Sequence, residues 1–324
     1  MQYTRLGSSG LEVSRLCFGC MSFGTPDETR PWILQEDAAR PLLRAGYEAG
    51  INFFDTANVY AGGSSEEITG KVLAELAPRD ELVIATKLSM RMRNKPNGAG
   101  LSRVAIMSEI DNSLRRLRTD YVDLYQIHRA DPLTPIEETM EALHDVVKAG
   151  KARYIGASSM WAWQFAKYQH AADLNGWTRF VSMQDQVSLT YREEEREMLP
   201  LCAADGVGVM PWSPLGGGRL TRPWGTRTNR VDTDRYAKTM YDNQTNGSKD
   251  VIEAVTKLSE ERNVPMAQLA LAWLLQKPVV TAPILGISKP VHLEDAIAAL
   301  SVTLTPDEIA RLEAPYRPLH VPGF

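Results

Sequence analysis

Four side chains in the N-terminal half of the chain could together deliver a proton to a carbonyl oxygen. Asp55, Lys87 and His128 each stand where a short apolar run stops, in Phe53-Phe54-Asp55, Ile84-Ala85-Thr86-Lys87 and Tyr125-Gln126-Ile127-His128. Tyr60 follows Asp55 at the end of the loop Thr56-Ala57-Asn58-Val59-Tyr60. A phenol with an ordinary pKa of about 10 is a poor acid or base at neutral pH, but a neighbouring ammonium stabilises its phenolate. Lys87 can be that ammonium. Asp55 would hold the lysine by a charge-assisted hydrogen bond, and His128 would donate to a substrate oxygen. The set suits protonation of a carbonyl oxygen while a hydride reaches the carbon, and none of its members needs to be a nucleophile.

Those residues need a scaffold that brings strand ends together. Short apolar runs that read as strands fall at Leu16–Phe18, Asn52–Asp55, Leu82–Thr86, Val122–Ile127, Tyr154–Ala157, Phe180–Met183, Val207–Pro211 and Ala282–Leu285. Between them, apolar residues recur at helical spacing, as in Ile106, Ile110, Leu114 and Leu117, or Ile136, Met140, Leu143 and Val147. The residues at the strand ends, Asp55, Lys87, His128, Ser158, Gln184 and Trp212, are 32, 41, 30, 26 and 28 positions apart. Each interval fits one strand–helix unit, and eight such units predict a closed parallel barrel of the α/β class, in which loops after the strand C-termini build the site. An open parallel sheet is the competing topology. Gln2–Leu6 and Leu11–Arg15, around Gly7-Ser8-Ser9-Gly10, predict an N-terminal β-hairpin. The 74 positions from Trp212 to Gly286 predict a long loop at the barrel mouth over Thr221–Gly247, then helices near Asp250–Arg262 and Met266–Leu275.

Composition narrows the class. The 324 residues are 44% hydrophobic and 23% charged, as in ordinary folded proteins, and a net charge of −4 without a basic run disfavours nucleic acid as a partner. The N-terminus lacks the apolar core of a signal peptide, the apolar stretch Leu269–Leu275 is too short to span a bilayer, and three cysteines make no disulfide framework. A cytoplasmic location with no membrane partner is expected. Cys17-Phe18-Gly19-Cys20 has redox-motif spacing but ends a strand, where a thioredoxin-like motif opens a helix. Gly70-Lys71 fails as a P-loop, with Ser65 in place of the first glycine and Val72 in place of Ser or Thr. The five scattered histidines suggest no metal site, and Glu193–Glu197 reads as a solvated helix start.

Asp55-Thr56-Ala57-Asn58-Val59-Tyr60, Ala85-Thr86-Lys87 and Leu124-Tyr125-Gln126-Ile127-His128 resemble the tetrad segments of the aldo-keto reductases. The resemblance runs from Gln2 to about Tyr316 and is nearest to the bacterial deoxyxylulose-phosphate synthase-like branch, related in turn to potassium-channel β subunits. It implies a (β/α)8 TIM barrel with an N-terminal β-hairpin and extra C-terminal helices, a single domain over residues 1–324. It also implies NADPH/NADP+ as cofactor, Tyr60 as the acid, Lys87 and Asp55 as its tuners, and His128 as an orienting donor.

Further contacts carry over from the same resemblance. Ser158 and Ser159, in Ile155-Gly156-Ala157-Ser158-Ser159, are similar to the segment that holds the nicotinamide amide, although many members have Asn at the second serine. Gln184 matches the second amide partner and Trp212 the aromatic that stacks on nicotinamide, with Ser213, Pro214 and Leu215 following. Gly216, Gly218 and Arg219 would meet the pyrophosphate; Gly286, Ser288, Lys289, His292 and Asp295 the adenosine end with its 2′-phosphate; Gly19, Cys20, Met21 and Asp55 complete the cofactor set. The loops after the strands offer Phe23, Trp32, Val59, Met90, Arg129 and Trp161 to a bulky, partly apolar carbonyl substrate. Two other functions fit the resemblance: a cofactor-sensing subunit with little turnover, or an enzyme acting on a phosphosugar, for which Arg91, Arg93 and Arg129 would supply charge.

Overall fold

A computed structural model describes residues 1–28, 30–226, 245–319 and 321. Eight parallel strands form one sheet: β3 (Cys17–Gly19), β4 (Phe53–Asp55), β5 (Val83–Leu88), β6 (Val122–Ile127), β7 (Ala152–Ser158), β8 (Phe180–Gln184), β9 (Gly208–Val209) and β10 (Ile284–Gly286). Their spatial order is β10-β3-β4-β5-β6-β7-β8-β9, so neighbours in sequence are neighbours in space except at the seam. There, a parallel bridge between Val209 and Val280 and a bond from the Ile284 N–H to the Pro211 carbonyl (2.8 Å) carry pairing from the β9 side to the β10 side. The fold is a (β/α)8 barrel, as the strand spacing predicts.

Three strands, β4, β9 and β10, are shorter than expected, and in the last two a proline breaks the ladder. Pro211 and Pro283 have no N–H for the ladder, so β9 stops at Val209 and β10 starts at Ile284. In contrast, β5 runs two residues past Thr86, which puts Lys87 inside a strand. The helices include α1 (Glu36–Glu48), α2 (Ser64–Leu76), α3 (Arg103–Leu117), α4 (Ile136–Lys148), α5 (Ala162–Asn175), α6 (Met198–Asp205), α7 (Thr245–Arg262), α8 (Met266–Leu275), α9 (Pro290–Ala299) and α10 (Pro306–Glu313). Local signals set several ends: the Ser102 side chain accepts from the Ala105 N–H at the start of α3, and Thr305 with Glu308 makes a capping box at α10. Of the expected mouth loop, positions 227–244 lie outside the described residues.

The barrel interior is apolar at one end. Cys17, Phe53, Val83, Ala85, Leu124, Met210 and Ala282 pack there with Leu6 and Val13 of the hairpin β1 (Tyr3–Arg5) and β2 (Glu12–Ser14). The Ser8 N–H donates to the Gly206 carbonyl at 2.7 Å, which docks the hairpin turn on that end. A larger apolar layer fills the space between strands and helices.

Candidate functional site at the barrel mouth

Strand alternation fixes what faces inward at the other end. Side chains two positions apart share a face. The apolar Phe53, Ala85, Leu124 and Met210 at the floor are therefore followed along their strands by Asp55, Lys87, Gln126 then His128, and Trp212 near the mouth. Tyr60 arrives from the loop after β4, which turns through three consecutive left-handed residues, Ala61, Gly62 and Gly63, into α2.

The structure brings Asp55, Tyr60, Lys87 and His128 together. The Lys87 ammonium, with no exposed surface, donates to the Asp55 carboxylate (2.5 Å), the Thr56 carbonyl (2.8 Å) and the Tyr60 hydroxyl (3.2 Å). The Tyr60 and His128 rings meet edge to face, with centroids 5.7 Å apart. Burial by itself lowers the Lys87 pKa, but the charges of Asp55 and Tyr60 and the hydrogen bonds to both together outweigh it, and the pKa is raised. Burial and the positive charges of Lys87 and Arg129 push His128 well below its usual range, so its imidazole is neutral. Tyr60 corrects the expectation that Lys87 brings its pKa down. Burial raises it more than Lys87 lowers it, and the phenol keeps its proton throughout the neutral range.

Two amides complete the arrangement. Gln184 Nε2 donates to Asp55 Oδ1 (2.9 Å) and to Gln126 Oε1 (3.1 Å), while Gln126 Nε2 donates to the same Asp55 oxygen (3.0 Å). Gln126 escaped the sequence reading, although a buried amide two residues before His128 in an apolar strand was a signal for it. Asp185, also missed, accepts from the Ser159 N–H at 3.0 Å and carries a carboxyl pushed up to about 7, chiefly by burial. Ser158 Oγ donates to the Gln184 carbonyl (2.7 Å), and Ser159 Oγ accepts from the Trp212 indole (3.0 Å). The residues expected to hold a nicotinamide amide thus lie in one connected patch.

Farther along, Gly216, Gly217 and Gly218 all have positive φ. A Cβ on Gly216 would lie 2.8 Å from Thr190 Oγ1, and one on Gly218 would lie 2.7 Å from the movable end of Arg222, so positive φ and close approach together favour glycine at this turn. Arg222, absent from the expected set, donates to the Gly218 carbonyl, and its pKa is lowered by burial and by Arg219. Lys289 precedes the first turn of α9, where the Ser288 hydroxyl and His292 Nδ1 are 3.4 Å apart.

The remaining expected contact residues differ in burial and in the partners they have in the fold. Phe23 has no exposed surface and packs against Phe18 at 5.9 Å, in the layer behind the strands, so it shapes the mouth from behind. The Asp295 carboxylate accepts from Gln268 of α8 at 2.9 Å. Cys20 is buried, with its carbonyl taking the Ser65 hydroxyl, whereas Met21 is exposed. Burial raises the Cys17 and Cys20 thiols, Cys20 to about 12, which removes the thiolate that redox chemistry needs. Trp32, Val59, Met90 and Arg129 are half-buried, and Trp161 is exposed. Trp161 lines a cavity of about 310 Å³ with Met160, Glu193 and Leu319 beside the mouth. Glu193–Glu195 is a short 3-10 turn in place of the solvated helix start expected there. Glu194 is buried and Glu193 accepts from the Tyr316 hydroxyl and the Leu319 N–H, because the C-terminal segment packs across this turn.

Residues 15–317 match the Aldo/keto reductase family. The chain is 44% identical over 338 residues to the versiconal hemiacetal acetate reductase of Aspergillus parasiticus, covering 98% of each chain. It is 44% identical to aldo-keto reductase AFTS1 of Alternaria alternata, over 99% of this chain and 93% of that one. With aldo-keto reductase dtxS3 of Metarhizium robertsii the identity is 41%, over 100% and 93%. The chain belongs to the aldo/keto reductase family, a family of oxidoreductases. These relatives are fungal, and nearness to the bacterial deoxyxylulose-phosphate synthase-like branch stays an expectation from the motifs. No helix among the described residues is long and apolar enough to cross a membrane, and no group of three or more His, Cys, Asp or Glu among them could hold a metal.

Proposed function

We propose that the protein is an NADPH-dependent carbonyl reductase that uses Tyr60 as general acid. The observation that carries this reading is the Lys87 ammonium, bonded at once to the Asp55 carboxylate and the Tyr60 hydroxyl at the barrel mouth beside a neutral His128. When bound, NADPH supplies a hydride to the carbonyl carbon of an aldehyde or ketone. Tyr60 gives its proton to the carbonyl oxygen, completing the alcohol, and Lys87 stabilises the phenolate left behind. His128, neutral, is available to hydrogen-bond the substrate oxygen and orient it, and Asp55 keeps Lys87 charged and in place.

The residues present fit the cofactor. With Gln184 Nε2 committed to Asp55 and Gln126, its Oε1 is left to accept from a carboxamide N–H, and Ser158 and Ser159 lie alongside. Trp212 would stack on the nicotinamide. The glycine turn with Arg219 and Arg222 suits a pyrophosphate, whose charge would relieve the crowding of two guanidinium groups. Ser288, Lys289 and the first turn of α9 suit the 2′-phosphate. The half-buried and exposed apolar residues around the mouth favour a bulky, partly apolar substrate, and the versiconal hemiacetal acetate reductase name points the same way. NADPH oxidation measured across aldehydes and ketones tests the reading; turnover with none of them would defeat it.

A further inference from the structure

We infer that Gln126 is a positioning residue for this reaction: its amide fixes the Asp55 carboxylate and the orientation of Gln184, linking the nicotinamide pocket to the proton donor. The inference rests on the proposed function and adds a residue to it.

Asp55 uses its two oxygens differently. Oδ2 takes the Lys87 ammonium, and Oδ1 takes two amide N–H groups, one from Gln126 and one from Gln184. The third side of the triangle is the bond from Gln184 Nε2 to Gln126 Oε1. These bonds leave one amide orientation for each glutamine. A flipped Gln126 would set its carbonyl against the carboxylate, and a flipped Gln184 would set its carbonyl against both acceptors. Packing holds Gln126 as well: it is fully buried, and a Cβ added at Gly156 of β7 would lie 3.2 Å from its Cγ, so the bare glycine makes its berth.

Two consequences follow from electrostatics. N–H dipoles aimed at Oδ1 offset part of the carboxylate charge that Tyr60 feels across Lys87, and deleting one makes the site more negative and the phenol harder to ionise. The charged or titratable groups facing Asp55 are Lys87, Tyr60, Cys17 and Cys20; those facing Tyr60 are Lys87, Asp55, His128 and Arg129. With both thiols and the imidazole neutral near pH 7, the Lys87–Asp55 balance dominates. In addition, Gln184 without its acceptor on Gln126 keeps only the Asp55 carboxylate to hold its carbonyl toward the nicotinamide amide.

The test compares Gln126→Met, of similar length but without donor or acceptor, with Gln126→Glu. In Gln126→Met the alkaline limb of carbonyl reduction is expected to move up by about half a pH unit or more, and NADPH affinity, read by fluorescence titration, to weaken several-fold. Tyrosinate absorbance, taken as the difference between Gln126→Met with and without Tyr60→Phe, should move the same way in cofactor-free protein. A protonated glutamic acid can still donate to Asp55 and accept from Gln184. Gln126→Glu is therefore expected to match wild type at acid pH and to lose activity as that carboxyl ionises, through a limb wild type lacks. Wild-type pH profiles in both variants, or a Gln126→Met protein that only melts at lower temperature with its profile and NADPH affinity unchanged, would overturn the inference. A Tyr60→Phe protein that still reduces carbonyls would instead defeat the parent reading.

Discussion

Along each barrel strand the same two-residue alternation produces opposite chemistry at the two ends. At the floor, Phe53, Val83, Leu124 and Met210 meet the hairpin residues Leu6 and Val13, and contacts there are apolar. At the mouth, the positions that continue those faces hold Asp55, Lys87, Gln126, His128 and Trp212, joined by hydrogen bonds. The floor gains stability from burial, which no single geometry of polar groups limits. The mouth places a charged pair in the same low-dielectric interior, where each polar atom needs a partner. A tolerant apolar plug supports an exacting polar constellation.

The largest expected effect falls on the mouth. Tyr60→Phe removes the proposed donor while keeping the ring, so carbonyl reduction is expected to fall on the order of 10²–10⁴-fold, with the melting temperature and NADPH affinity nearly unchanged. Wild-type reduction, in turn, is expected to stay flat through neutral pH. Because Tyr60 must be protonated to act and its pKa is raised by burial, activity should decline only as pH rises past about 10. A decline centred near neutrality would move the acid to another group.

Phe53→Ala strikes the floor directly beneath Asp55. It opens a cavity in a fully buried position and is expected to cost about 3–5 kcal/mol, seen as a lower melting temperature, while the folded fraction keeps the wild-type pH profile. A shifted profile would mean that the two ends are not separable. Lys289→Ala tests the outer reach of the mouth. Losing one charge-assisted contact to the 2′-phosphate is expected to weaken NADPH about tenfold and leave NADH binding nearly unchanged, by fluorescence titration. Equal weakening of both would locate the phosphate elsewhere.

The smallest effect concerns Asp185, under the mouth. Its carboxyl is raised from 3.8 to about 7, mainly by burial, so the stability linked to its protonated form is present below its unfolded pKa and is lost as pH rises through about 7. Asp185→Asn keeps an acceptor for the Ser159 N–H and cannot ionise. Thermal melts are therefore expected to show a gain of a few degrees at about pH 8 and none near pH 4. The same gain at both pH values would remove the titration of Asp185 as its cause.

The sequence by itself determined the scaffold and the identity of the four central residues. Strand and helix periods are local properties of the chain, and regular intervals between polar strand ends already imply a barrel that collects them. It also carried the hairpin, through two alternating runs about a Gly/Ser turn. Tertiary structure alone decided the balance of forces at the site. Whether Lys87 or burial governs Tyr60 depends on how much protein surrounds the phenol, which no spacing encodes. The partners of Asp55 come from β5, β6 and β8, and Gln184 lies 129 positions away in the chain. The acidic run at Glu193 looked solvated for the same reason: its partners, Tyr316 and Leu319, are more than a hundred residues downstream and meet it only once the chain has folded.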